Sequence, residues 1–354
     1  MTTAHAKAAA RVTYQLETLW DYDYEPTHEE LETLYETAKK NQWNGSTAID
    51  WGRPIGKEGP VLNVQVAFAG THFFSRLTPE EQREVEVRVS AWRLSQFLHG
   101  EQGALVVCGQ LVNGIPELDA KLYAATQVVD EGRHVEVFER YVKRLHKIYP
   151  VDPLLKAVLD EILATNLWEL KLLGMQMIVE GLAIAAFNLM RKQTGDATLG
   201  QLLDYVLQDE GRHVNFGYFA LRRAIPDMEA AKREYLDYVL QDEGRHVNFG
   251  YFALRRSIPD MEPAKREYLE DFTFRACDHM YARDERTGFQ SIKHVWNELG
   301  WDGDKIWRDT VAHSQTTKAF NSFLFHENLM PRLQRLALIS PRIEPRYREI
   351  GLLV

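Results

Sequence analysis

Two glutamates stand alone in long apolar helical stretches, Glu101 in LSQFLHGEQGALVVCGQLV and Glu180 in LLGMQMIVEGLAIAAFNLM. An unpaired buried carboxylate costs several kcal/mol, so such a group is protonated, paired or bound to a metal. A partner on the same helix has to lie three or four residues away. Around Glu180 those positions hold Met177, Gln176, Ala183 and Ile184, and around Glu101 they hold Leu98, Phe97, Ala104 and Leu105. None is a cation, and only Gln176 is polar. The compensation has to come from another helix or from a metal, and the chain has to fold so as to deliver it.

The pattern around these two residues is helical. Thr78 reads as an N-cap, with Pro79 as the first helical residue and Glu81 as the reciprocal cap. That helix is expected to run to 112 and stop at Asn113-Gly114-Ile115-Pro116. A second is expected over 117–147, a third, which the pattern leaves open to a break, over 153–191, and a fourth over 198–225. A shorter helical core precedes them within residues 1–75, followed by the loop GRPIGKEGP at 52–60. No convincing run of alternating strand residues is found, so the fold class is all-α, with helices long enough for a bundle. The apolar share of 45% is enough for a sizeable core. The expected divisions are an N-terminal accessory segment at 1–77, a bundle core at 78–225, a duplicated helical segment at 226–268 and C-terminal accessory helices at 269–354.

The second and fourth helices carry the complement to the lone glutamates. Glu131 and His134 are three apart and share a helix face, and Glu210 and His213 repeat that geometry. Four glutamates carry the charge that two divalent ions neutralise, and two imidazoles complete the set. One Glu from each of two helices, with Glu-x-x-His from each of the other two, is the di-iron or di-manganese carboxylate arrangement of four-helix bundles. The spacing agrees: the intervals from 101 to 131 and from 180 to 210 are both 30 residues. At roughly 1.5 Å per residue, each pair lies level across its hairpin within about one turn. The small residues Gly103, Ala104, Gly181, Ala183, Ala185 and Ala186 read as close helix packing, with a cavity beside the metals as the second reading.

A third Glu-x-x-His, Glu243/His246, comes from a tandem repeat. Residues 203–235 and 236–268 match at 31 of 33 positions, differing only at Ala224/Ser257 and Ala230/Pro263. This reads as a recent duplication of one segment rather than a repeat array. Only one copy can complete the site. The first is expected to, because a short antiparallel hairpin costs the least loop entropy, with Glu243 and His246 as the alternative pair.

With Glu101, DEGRH at 130–134, Glu180 and DEGRH at 209–213, the chain resembles the ferritin-like di-iron carboxylate superfamily, in particular its oxygen-activating branch. The resemblance covers about 80–225 and implies a ferritin-like four-helix bundle with a dinuclear metal site plus accessory helices. It implies that Glu131 and Glu210 bridge or flank two iron ions and that His134 and His213 each ligate one. It also implies that Asp130 and Asp209 hold the opposite histidine's N–H, steadied by Arg133 and Arg212. Manganese or a mixed pair fits the same ligands.

Phe138 stands where ribonucleotide reductase small subunits carry a radical Tyr, and Ile184 where multicomponent hydroxylases carry a Thr. What the resemblance then implies is an oxidase or oxygenase that uses O2 to hydroxylate, N-oxygenate or desaturate a small organic substrate. A redox or radical protein like the ribonucleotide reductase small subunit and an iron-handling or peroxide-scavenging ferritin-like protein are the alternatives. No flavin or nicotinamide fingerprint is seen, so electrons are expected from a separate reductase or ferredoxin. A net charge of −9 favours neither nucleic acid nor an anionic membrane as partner. The most apolar run, 172–190, is short for a membrane span and has a Glu in its middle. The N-terminus lacks the apolar core of a secretion signal, and the two cysteines, Cys108 and Cys277, form no Cys-x-x-Cys pair, so a cytoplasmic setting is expected. A homodimer is compatible with all of this.

Overall fold

The computed structural model describes residues 29–64, 68, 70–223, 262–281, 288–314, 322–335 and 338–353, with positions 12, 13, 18, 20, 22 and 24. Among the described residues every regular element is helical. Helix α1 is Glu29–Lys40, α2 is Pro79–Gly114, α3 is Leu118–Leu145 and α4 is Pro153–Ala164. Helix α5 spans Trp168–Gln193 and α6 spans Ala197–Arg223. Then follow α7 at Pro263–Met280, α8 at Lys293–Glu298 and α9 at Gly303–His313, with a helical stretch over 322–335 and a short helix at Glu344–Glu349 beyond.

The start of α2 is fixed locally. The Thr78 side chain accepts from the Glu81 N–H at 3.2 Å, and the Glu81 carboxylate accepts from the Thr78 N–H at 2.8 Å. This reciprocal cap satisfies two N–H groups that a helix start leaves without partners. Short connections make α2–α3 and α5–α6 two antiparallel hairpins. They pack through α3 on α6 to form a ferritin-like four-helix bundle, and α1 lies across α3 and α6.

The stretch expected as one helix over 153–191 is two. Thr165 ends α4 in extended conformation, and its hydroxyl accepts from the Leu167 N–H at 3.1 Å, a local turn that competes with the helix. The fully buried Lys171 then donates to the carbonyls of Ile162 and Leu163 at 2.9 and 3.2 Å, capping the α4 C-terminus. Helix α5 also widens to a π-turn over Leu173–Val179, immediately before Glu180. Such bulges are frequent at functional sites.

At 26 residues, with an 18-residue window of mean hydropathy 1.6, Trp168–Gln193 is longer than the apolar run suggests and passes as a membrane span by length and composition. However, 61% of its apolar window is buried within the bundle, which is where this apolar surface is used.

The apolar interior divides into two clusters. Val107, Tyr123, Leu173 and Phe216 belong to one, and Leu94, Phe138, Phe187 and Val206 to the other. On each bundle helix the chain crosses from one cluster to the other at the level of the predicted site residues. The α5–α6 turn at the outer end of the second hairpin is held by the 52–60 loop. Gly195 donates its N–H to the Pro60 carbonyl at 2.8 Å, and Asp196 accepts from the Gly56 and Leu199 N–H groups at 2.6 and 2.8 Å. A Cβ on Gly59 would stand 2.8 Å from the Gly195 carbonyl oxygen, so the two backbones touch only because Gly59 has no side chain. Gly59→Ala is therefore expected to lower stability by about 1–3 kcal/mol, read as a fall in the denaturation midpoint at unchanged slope.

Candidate metal centre

All six predicted ligands meet in the layer between the two apolar clusters. Glu101 on α2, Glu131 and His134 on α3, Glu180 on α5, and Glu210 and His213 on α6 are all buried. His134 Nδ1 lies 3.2 Å from Glu101, 3.4 Å from Glu131 and 3.2 Å from Glu210. His213 Nδ1 lies 3.1 Å from Glu131 and 3.3 Å from Glu210. Glu131 and Glu210 thus stand between the two imidazoles, with Glu101 on the His134 side. Glu131, Glu180 and His213 close the other half, their donor atoms within 4.8 Å of one another.

The far nitrogen of each imidazole turns to an aspartate on the opposite hairpin. His134 Nε2 is 3.1 Å from Asp209, and His213 Nε2 is 3.3 Å from Asp130. A carboxylate there favours a proton on Nε2, so that in the neutral imidazole Nδ1 is the lone-pair donor facing the cluster. Arg133 and Arg212 each contact both aspartates, tying α3 to α6 across the pseudo-twofold axis.

Hydrogen bonds do not satisfy this cluster. Oε2 of Glu131, Glu180 and Glu210 and Nδ1 of His213 are buried without a hydrogen-bond partner. Burial, with Glu210 next, pushes the carboxyls of Glu101 and Glu180 well above the usual range. For Glu131 burial acts upward too, but the His213 and His134 imidazoles beside it hold it well below. Burial would lower both histidines. Asp209, Glu101, Glu131 and Glu210 raise His134 instead, and Glu131, Glu210 and Asp130 raise His213. Asp130 and Asp209 stay low despite burial because of the imidazole and arginines each one faces. Bare, the cluster is a set of protons shared among acceptors. Four carboxylates, two imidazoles and orphaned oxygens converging on two points suit a pair of divalent transition ions, which would displace those protons.

Several neighbours have roles the sequence did not reveal. Gln127, one turn before Glu131, donates to Glu131 and Glu180, both at 3.1 Å. Gln176, the one polar candidate near Glu180, instead turns to the Cys108 sulfur at 3.8 Å. Gln42 and Trp43, from the segment after α1, donate to Asp130 and Asp209 at 2.9 and 2.7 Å. A polar residue on an apolar helix face was a signal for Gln127, whereas nothing local marks Gln42 or Trp43. Glu243 and His246 lie outside the described residues, and the first repeat copy supplies the Glu/His pair seen in the site.

An apolar cavity of about 300 Å³ opens onto the layer, with Glu101, Glu180 and Glu210 in its wall. Ala104, Ala183 and Ala186 line it, whereas a Cβ on Gly103 would press on Leu159 at 2.8 Å, so the small residues divide between cavity and packing. Arg93, about two turns before Glu101, also lines the cavity. It has no hydrogen-bond or ion-pair partner among the described residues, and burial lowers its pKa.

The family profile described as p-aminobenzoate N-oxygenase AurF matches residues 25–241, more than half of the chain. A comparison with curated proteins finds no match. Among solved structures, an R2-like ligand-binding oxidase with an aerobically reconstituted Mn/Fe cofactor is 20% identical over 84% of this chain and 92% of its own, with a TM-score of 0.43. A point variant of that oxidase, also with Mn/Fe, is 19% identical over 84% of this chain and 94% of its own, with a TM-score of 0.40.

The raised carboxyl of Glu180 sets the sign of a pH effect in the metal-free protein. Its folded pKa lies above the unfolded one, so the folded state carries the extra proton between the two values. Stability is lost as pH rises through that window. Metal-free Glu180→Gln is expected to exceed the parent in stability by about 1–3 kcal/mol at neutral pH. The gain should vanish below the unfolded carboxyl pKa of about 4.3, as denaturant unfolding at the two pH values would show.

Proposed function

The chain belongs to the p-aminobenzoate N-oxygenase AurF family, an O2-dependent oxidoreductase of the non-haem dinuclear kind, and we propose that it oxidises a small organic amine that carries a carboxylate. In this reading two iron ions, or manganese in one or both positions, are held by Glu101, Glu131, His134, Glu180, Glu210 and His213. The observation that carries it is the buried layer of four carboxylates and two imidazoles whose unsatisfied atoms face each other beside an apolar cavity.

Once bound, the metals supply the redox equivalents that reduce O2. The remaining tasks belong to side chains of this protein. Asp209 and Asp130 keep the protons of His134 and His213 on Nε2, so Nδ1 stays available. The buried Gln127 donates to Glu131 and Glu180 and fixes both carboxylates. The apolar wall excludes water from the oxidising centre. Arg93 is a cation in that wall without a partner among the described residues, and it takes the substrate carboxylate while the amine points toward Glu101, Glu180 and Glu210. Converting an amine to a hydroxylamine consumes O2, two electrons and two protons and releases one water. A separate reductase or ferredoxin supplies the electrons.

Anaerobically reduced, iron-loaded protein mixed with O2 is expected to develop a transient visible absorption, and 4-aminobenzoate with a reductant is expected to yield the hydroxylamine or its further oxidation products. Absence of both would overturn the reading. Glu180→Ala and His213→Ala should each abolish dinuclear metal binding while His246→Ala retains it, as counted by metal analysis. Arg93→Ala should lower kcat/KM for an aminobenzoate by about 10–100-fold, the equivalent of one lost hydrogen bond between charged groups, but leave the corresponding neutral amide nearly unaffected.

A further inference from the structure

Away from the bundle layer, a second convergence of metal-binding side chains lies on the surface. Asp309 and His313 are four apart on α9 and therefore share one face of the helix. The third member, His72, comes from the segment before the turn Phe74–Arg76. Gly70 makes the encounter close: its φ is +85°, and a Cβ there would stand 3.1 Å from the His313 carbonyl oxygen, so the chain turns tightly against the end of α9. The Asp309 carboxylate then divides its tasks. Its Oδ2 accepts from the backbone N–H groups of His72 and Phe73 at 2.8 and 3.3 Å, which seats the segment. Its Oδ1 faces both imidazoles, 2.9 Å from His72 Nδ1 and 3.0 Å from His313 Nδ1.

We propose that His72, Asp309 and His313 form a second metal site, separate from the dinuclear layer, for a divalent late transition ion such as zinc. Two imidazole nitrogens and one carboxylate oxygen are a donor set suited to that ion, with a fourth position left to water. Bonds of about 2.0–2.1 Å at tetrahedral angles put ligand atoms roughly 3.3 Å apart. The observed separations of 2.9 and 3.0 Å are a few tenths of an ångström short of that, a shift that exposed imidazoles make by rotation. Both rings are largely exposed and meet edge to face with centroids 4.8 Å apart, so the open side faces solvent. An ion here joins two separate stretches of chain. Trp307 and Thr310 of α9 and Phe68 of the preceding segment line the cavity described above, and the bound ion clamps that wall. The alternative is that Asp309 serves only as a hydrogen-bond acceptor for a loop and two histidines, and that arrangement binds no ion.

The test is a zinc titration of the metal-free full-length chain against a chromophoric chelator, repeated on His72→Ala and His313→Ala. The expected result is that each variant binds one zinc fewer than the parent, whatever number the bundle holds. Because the exposed imidazoles contribute little to folding, both variants keep their fold. Cobalt in place of zinc is expected to give a visible absorption component of four-coordinate type that both variants lose. Equal zinc counts in all three proteins, or a cobalt spectrum unchanged by both substitutions, would overturn the proposal.

Discussion

Four carboxylates and two imidazoles removed from water at the same height of a helical bundle set the terms for the rest of this structure. Their desolvation is unfavourable by several kcal/mol per charge unless counter-charge is present. Among the described residues no lysine or arginine takes part in the inner cluster itself. The arginines stand one shell out, where Arg133 and Arg212 neutralise Asp130 and Asp209. The inner charge is therefore left to protons or to metal ions, and the orphaned oxygens of Glu131, Glu180 and Glu210 are the sign that protons alone leave it unsatisfied. The division of the core follows. Apolar side chains cannot cross the polar layer, so they gather above and below it, and each cluster draws on all four bundle helices. The same clusters that stabilise the bundle fix the rotamers of the layer between them.

The arrangement is nearly twofold symmetric, and its departures from symmetry indicate where chemistry can happen. Each histidine has its aspartate on the opposite hairpin, each aspartate has both arginines, and each half has its lone glutamate. Gln127 breaks the pattern by donating to Glu131 and Glu180 only, which closes one flank with a fixed amide. The π-turn before Glu180 breaks it again, since α2 runs through Glu101 as a regular helix. The cavity lies against α2 and α5, on the flank where the layer is not closed by side-chain amides.

The sequence disclosed most of the layer, because its parts are local. A carboxylate in an apolar helix, a Glu and His three apart and a pair of matching intervals are each visible in a short window, and their joint occurrence fixes topology. The Thr78 cap was legible for the same reason. The break in the third helix was only half legible: the turn at Thr165 depends on its side chain choosing the Leu167 N–H over the helix, and on a buried lysine arriving to cap what it leaves. Gln42 and Trp43 were not legible at all. They reach Asp130 and Asp209 across 88 and 166 residues of chain, and nothing in their own surroundings differs from an ordinary polar loop. Arg93 was passed over because an arginine in a helix reads as a solvated face until the opposite wall of the cavity is known.

The duplicated segment shows what sequence motifs do not decide. Residues 203–223 and 236–256 are identical, so propensity, periodicity and ligand chemistry cannot prefer one over the other. What differs is the chain that leads into each. Before the first copy stands a turn of a few residues pinned by Gly59, Pro60 and Gly56 to another part of the protein. That turn sets α6 antiparallel to α5, with Glu210 in the same buried layer as Glu180. The second copy's glutamate is 63 residues from Glu180, 243 against 180. Loop entropy grows only logarithmically with length, so length alone costs about 1 kcal/mol and would not exclude it. The pinned turn joins α5 directly to the first copy, and it is Glu210 and His213 of that copy that stand in the layer. What separates the two copies is thus their connection to the rest of the chain rather than their composition.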